Sequence, residues 1–231
     1  MLKAVFIDID NTLLSFDGYV RQTMRDGFRK FGICEYSEDM FVTFTAINNG
    51  LWRRIEEGTL TFEGLMKIRW NTIFNSLGIS FDGEAFEKYF RSCIYDSAIP
   101  MENAYTLLEY LKGKYILCAA SNGPYEQQVH RLEVGKMKDY FDYFFISEDI
   151  GYQKPSGLFF DECFRRLNTG RSEIITPPET LIIGDSLSSD MRGGIDYGMK
   201  TCFYNFASIP LPEDMRPDFC VTTLKEIRSF T

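Results

Sequence analysis

The chain has 231 residues, 45% of them hydrophobic and 16% aromatic, and its 33 acidic against 25 basic side chains give a net charge of -8 at neutral pH. That length and apolar content suit one large domain, or a core domain with an insertion, and exclude a disordered chain. The negative balance disfavours nucleic-acid polymers and anionic membranes, so a phosphate-bearing ligand has to be a small one drawn in by a local site.

The first element, AVFIDI (Ala4 to Ile9), is a short apolar run of the kind buried on both faces in a parallel sheet. From Phe16 to about Asp96 such runs vanish and helical periodicity takes over. Within TFEGLMKIRWNTIFNSLG, residues Phe62, Leu65, Met66, Trp70, Ile73, Phe74 and Leu77 form a broad apolar stripe that stops at Gly78. Trp52, Arg53 and Arg54 in the same region read as a packing aromatic and a solvated face. Further on, AYTLLEYLKG places Tyr105, Leu108 and Leu111 on one stripe and ends at Gly113. Strand-like runs then return as YILCAA (Tyr115 to Ala120), YFFIS (Tyr143 to Ser147), TLIIG (Thr180 to Gly184), TCFY (Thr201 to Tyr204) and FCVT (Phe219 to Thr222), with helical segments between most of them. GGIDYG (Gly193 to Gly198) does not fit a dinucleotide-binding glycine pattern and reads as close helix-to-sheet packing.

This alternation predicts an α/β fold with a doubly wound, mainly parallel sheet. The domain expectation is a discontinuous α/β core of residues 1–15 and 97–231, with residues 16–96 as an inserted all-helical domain. The first residues show no secretory leader and no stretch approaches the roughly 20 apolar residues of a membrane span, so a cytoplasmic protein is expected. Six dispersed cysteines without a C-x-x-C pair read as reduced structural thiols.

In open α/β sheets ligands bind beyond the carboxyl ends of the strands, so the residue after each apolar run is the informative one. The first run ends in Asp8 and Asp10, the second in Ser121, Asn122 and Gly123, and the fourth in Gly184, Asp185 and Ser186; the third leads through SEDIGYQ to Lys154. Singly these residues suit ordinary turns and caps. As a set they bring together acids whose repulsion would be severe without a divalent cation, and a few carboxylates completed by water describe a Mg²⁺ site. One of the acids could then attack an electrophile that the metal and Lys154 make approachable.

These pieces, in this order, resemble the haloacid dehalogenase (HAD) superfamily of phosphohydrolases, whose sheet is Rossmann-like. The D-x-D-x-T motif is Asp8, Asp10 and Thr12; the hydroxyl ending strand two is Ser121; the lysine is Lys154; and G-D-x-x-x-x-D is Gly184, Asp185 and Asp190. The resemblance implies that Asp8 is the nucleophile that forms an aspartyl phosphate, and that Asp10 protonates the leaving oxygen and then activates water. It implies substrate binding by Thr12, Ser121, Lys154 and backbone N–H groups around Ile9, Asp10 and Asn122. Mg²⁺ would be held by the Asp8 carboxylate, the Asp10 carbonyl and Asp185, with Asp190 behind them or capping the following helix. His130, the single histidine, reads as a surface residue. Asn11 stands where many members have Gly and can accept left-handed angles.

Asp10 favours a phosphatase over a dehalogenase, because halide leaves without a proton and a phosphate ester's oxygen does not. The helical insertion is similar to the cap of one branch of the superfamily, which implies that it excludes water and shapes the leaving-group pocket. Within that branch LLSFD (Leu13 to Asp17), NNGLWRRIEEGTLT (Asn48 to Thr61), ISEDIGYQKP (Ile146 to Pro155) and GDSLSSDMRGGIDYGMKTCFYN (Gly184 to Asn205) look most like the bacterial pyrimidine 5'-nucleotidases. The resemblance thus implies an enzyme whose partner is a small phosphorylated metabolite such as a nucleoside monophosphate, working as a monomer or homodimer. The competing expectations are a sugar-phosphate or phosphoglycolate phosphatase, or a catalytically idle HAD-fold binding protein. The intact acid set argues against the idle reading, since buried like charges destabilise a protein that has no use for them.

Overall fold

A computed structural model describes all 231 residues, which fall into two compact units: residues 1–15 together with 98–231, and residues 16–97. In chain order the elements are β1 (Ala4–Ile7), α1 (Phe16–Phe31), α2 (Glu38–Glu56), α3 (Phe62–Leu77), α4 (Gly83–Tyr95), α5 (Ala104–Leu111), β2 (Ile116–Ser121), α6 (Tyr125–Val134), β3 (Tyr143–Ile146), α7 (Ser147–Ile150), α8 (Gly157–Leu167), β4 (Thr180–Gly184), α9 (Arg192–Tyr197), β5 (Lys200–Tyr204) and β6 (Phe219–Val221).

The first unit is built on one six-stranded parallel sheet in the order β3-β2-β1-β4-β5-β6. Strand side chains alternate between faces, and the two faces feed two separate cores. Val5, Ile7, Leu117, Ala119, Leu181 and Ile183 pack with Leu107, Leu108 and Leu111 of α5 and Leu132 of α6. Phe6, Cys118, Ala120 and Ile182 pack on the opposite face with Phe159, Phe160, Cys163 and Leu167 of α8. A sheet covered on both faces explains why its strands read as unbroken apolar runs. The chain starts in the middle, moves out through β2 and β3, and then returns to the other side of β1 with β4. The order therefore reverses between β1 and β4, the place where doubly wound sheets open a crevice.

Glycines Gly193 and Gly194 let α9 lie close to this sheet. A Cβ at Gly194 would stand 2.5 Å from Ile182 Cγ2, and one at Gly193 would stand 2.7 Å from Phe160 Cε2. In α5 the stripe differs from the sequence expectation: Leu107 is buried and Tyr105 is exposed, its hydroxyl donating to the Gly135 carbonyl at 2.7 Å.

The second unit is four helices around an aromatic centre. Trp70 has ring neighbours Phe86, Phe90, Phe44 and Phe74 at centroid distances of 4.3 to 5.4 Å. The stripe on α3 ends in a left-handed Gly78 at φ 68°. Sequence periodicity does not show that Arg69 is buried on the same helix. Its guanidinium pairs with Glu87 at 2.6 and 3.0 Å and donates to Asn48 Oδ1 at 3.1 Å. Trp52 packs on Phe62 while Arg53 and Arg54 face solvent. No helix of either unit is long and apolar enough to cross a membrane.

Candidate active site

The candidate site lies where β1 and β4 end. Asp8 immediately follows β1, and its backbone N–H still bonds across to the Ile183 carbonyl at 2.9 Å, so the sheet itself fixes the carboxylate. The chain then turns sharply through Asn11, which takes a left-handed φ of 58°. Ile9 O receives the N–H groups of Leu13 and Leu14, both at 2.9 Å, which closes the turn. Thr12 is fully buried in it, and its hydroxyl has no partner within the protein.

Lys154 connects this loop to the rest of the site. It is 1% exposed, and its ammonium makes three hydrogen bonds, matching its three protons: Asp8 Oδ1 at 2.8 Å, Asp190 Oδ1 at 2.6 Å and the Ala120 carbonyl at 2.6 Å. Its backbone is clamped by the side chain of Asn122, which accepts from the Lys154 N–H and donates to the Lys154 carbonyl, each at 2.8 Å. Asn122 was expected to act through its main chain; the structure adds a side-chain role in positioning the lysine. Ser121, at the end of β2, is buried, and its Oγ accepts from Gly123 N at 3.1 Å and from Gln128 Nε2 at 2.6 Å. With both lone pairs engaged, its O–H remains as a donor.

At the end of β4, Asp185 and Asp190 join Asp8 in a cluster whose carboxylate oxygens lie within 4.8 Å of one another. Gly184 makes the approach possible, since a Cβ there would stand 2.2 Å from Asp190 Oδ2. Asp190 was expected behind the metal or capping the next helix. It does both a pairing and a capping job: Asp190 pairs with Lys154 and accepts from Ser186 N at 3.2 Å, while Ser186 Oγ accepts from Ser189 N at 3.2 Å at the start of the following helical turn. The Asp10 carboxylate stands apart from this cluster, bonded instead to Arg131 and Gln128 of α6. The only local signal for these two is their spacing of three on a helix, which places them on one face. His130 is half-buried on α6, with part of its side chain still at the surface.

The electrostatics follow from counting charges. One lysine faces three carboxylates in a desolvated site. Burial pushes the Asp8 carboxyl up to about 7 against the pull of Lys154, with Asp190 and Asp10 adding to the rise. Burial alone would lower Lys154, but Asp190 and Asp8 outweigh it and hold the ammonium above its ordinary range. An oxygen cluster with surplus negative charge suits a hard divalent cation of Mg²⁺ type.

Residues 2–198 match the family of haloacid dehalogenase-like hydrolases. The chain is 30% identical to the HAD-hydrolase YfnB of Bacillus subtilis (strain 168) over 225 residues, which span 97% of this chain and 93% of YfnB. The crystal structure of YfnB bound to magnesium superposes with a TM-score of 0.87 at 29% identity, covering 99% of this chain and 97% of that one. Similarity extends to the pyrimidine 5'-nucleotidases YjjG of Escherichia coli (strain K12), 29% identical over 96% of this chain and 95% of YjjG, and PynA of Streptococcus pneumoniae (strain ATCC BAA-255 / R6), 29% identical over 88% and 84%. With its sheet order, its buried lysine and its acids at the ends of β1 and β4, the chain belongs to the haloacid dehalogenase-like hydrolases.

Proposed function

We propose that this hydrolase is a Mg²⁺-dependent phosphomonoesterase acting through an aspartyl phosphate on Asp8, with pyrimidine nucleoside 5'-monophosphates as substrates. The observation that carries the reading is the separation of the two acids: Asp8 lies in the lysine-bridged cluster, and Asp10 is held outside it by α6. That separation supports attack by Asp8 and proton transfer by Asp10.

In the first half-reaction an Asp8 oxygen attacks phosphorus and the ester P–O bond breaks. The electron pair leaves on the ester oxygen, which takes a proton from Asp10. In the second half-reaction Asp10, now a carboxylate, takes a proton from water as the water oxygen attacks phosphorus. The bond to Asp8 breaks, releasing inorganic phosphate and restoring both acids. Lys154 opposes charge on Asp8 and on the phosphoryl oxygens, and the Ser121 and Thr12 hydroxyls with the N–H of Asn122 donate to those oxygens. Asp8 and Asp185, with Asp190 beside them, would hold Mg²⁺, which supplies further neutralisation of phosphoryl charge. The Asp10 side chain is engaged elsewhere, so a contribution from Asp10 to the metal would come from its main-chain carbonyl.

Chelation with EDTA is expected to abolish phosphate release and added Mg²⁺ to restore it; activity indifferent to chelation contradicts the metal assignment. Asp10→Asn keeps the side-chain volume but cannot deliver a proton, and its turnover should fall by about 10² to 10⁴. Near-normal turnover in that variant would remove Asp10 from its role.

The nucleotide preference is supported by the two relatives named pyrimidine 5'-nucleotidases, each matched over most of its length. The net charge of -8 disfavours polyanions and leaves a small anion drawn in by a local site. The test is a Mg²⁺-supplemented panel comparing kcat/KM for UMP, dUMP and dTMP with sugar phosphates and phosphoglycolate. A sugar phosphate or phosphoglycolate preferred by about tenfold overturns the nucleotide assignment and leaves the phosphatase chemistry standing.

A further inference from the structure

Both oxygens of the Asp10 carboxylate are claimed by one helix. Arg131 Nη1 donates to Asp10 Oδ1 at 2.6 Å, and Gln128 Nε2 donates to Asp10 Oδ2 at 2.8 Å. The two donors are 0% exposed, and they brace each other, Arg131 Nη1 also reaching Gln128 Oε1 at 2.8 Å. Gln128 Nε2 extends the network to Ser121 Oγ at 2.6 Å, so α6 ties Asp10 to the end of β2. Space for Gln128 depends on Gly123, where a Cβ would stand 2.8 Å from Gln128 Cδ and Nε2. A fully buried guanidinium is expensive to desolvate unless it is paired. Its placement makes sense if what matters is the carboxylate that it grips.

The geometry points to Arg131 and Gln128 as positioning residues that fix the Asp10 carboxyl for both of its proton transfers. This rests on the reaction proposed above, with Asp8 as nucleophile and Asp10 as acid and base. Neither residue takes part in the attack of Asp8 on phosphorus. Loss of Arg131 therefore weighs on whatever needs Asp10, while loss of Gln128 adds a uniform cost through Ser121. An alkyl leaving oxygen needs a proton as the P–O bond breaks, whereas p-nitrophenolate departs without one. Hydrolysis of the phosphoenzyme needs Asp10 for every substrate.

The experiment compares wild type, Arg131→Met, Arg131→Lys and Gln128→Leu on p-nitrophenyl phosphate and on the fastest alkyl ester among UMP, ribose 5-phosphate and phosphoglycolate. Arg131→Met is expected to lose kcat/KM on the alkyl ester by about tenfold more than on p-nitrophenyl phosphate. With p-nitrophenyl phosphate it should release a rapid burst of about one p-nitrophenolate per active site as phosphoenzyme accumulates. Arg131→Lys, which keeps a donor and a charge, should recover part of the loss. Should Arg131→Met fail to fold, Gln128→Leu is subject to the same two readouts. Equal losses on both esters with no burst overturn the inference and leave α6 a purely structural support. Failure of the underlying reaction shows separately, as phosphate release at wild-type speed by an Asp8→Ala variant.

Discussion

Asp8→Asn is expected to cut turnover by about 10³ or more while making the metal-free protein harder to unfold near pH 8. The kinetic half follows from chemistry: an amide of the same size can still accept from Lys154 but is no nucleophile toward phosphorus. The stability half follows from burial. In the fold the Asp8 carboxyl is raised from an ordinary 3.8 to about 7, chiefly by desolvation. A group whose pKa is raised on folding adds stability that is fully present below its unfolded value and is lost as pH climbs through the folded one. Near pH 8 the wild-type chain thus carries a buried charge that Lys154 only partly offsets, a penalty on the order of a few kcal/mol. Asparagine has no such charge. Thermal unfolding in EDTA should place the variant above wild type near pH 8 and narrow the gap near pH 5. A variant that melts lower by the same margin at both pH values would contradict this electrostatic picture.

The second large effect belongs to Lys154. Its three hydrogen bonds satisfy Asp8, Asp190 and the Ala120 carbonyl, all in the interior. Lys154→Met keeps the length of the stem and removes the charge, leaving two carboxylates close together without their cation. Removing one member of a buried pair typically destabilises by about 3–5 kcal/mol, and here two acids lose the same partner. Chemical denaturation of the metal-free variant should show a loss of that order, and Mg²⁺ should restore part of it by taking over the neutralisation. Phosphate release should be lost even at saturating metal. A stability change below about 1 kcal/mol would mean that the acids are not held by this lysine.

Much of this arrangement is legible in the linear sequence, for physical reasons. Strands buried on both faces must be apolar throughout, so β1, β2 and β4 stand out and the polar residues at their ends mark the site. Asn11 and Gly78 are positions where the backbone takes left-handed angles, which narrows the residue choice enough to be seen locally. Other features depend on what lies across the fold. Arg131, Gln128 and Arg69 look like ordinary polar positions on amphipathic helices, because a charge buried against a partner distant in sequence has no local signature. The same holds for the Asn122 side chain, whose partner is 32 residues away. Asp190 was visible as an acid of the motif, but its pairing with Lys154 depends on the loop after β4 folding back over a Gly184 that leaves room for it.

The most direct measurement is acid quenching of the Mg²⁺-loaded enzyme during turnover, followed by borohydride reduction and peptide mass spectrometry. An acyl phosphate on Asp8 is reduced to homoserine, so conversion confined to that position in the peptide spanning Phe6 to Leu14 is the predicted result. Homoserine formed at a different carboxylate, with Asp8 unmodified, would contradict the account.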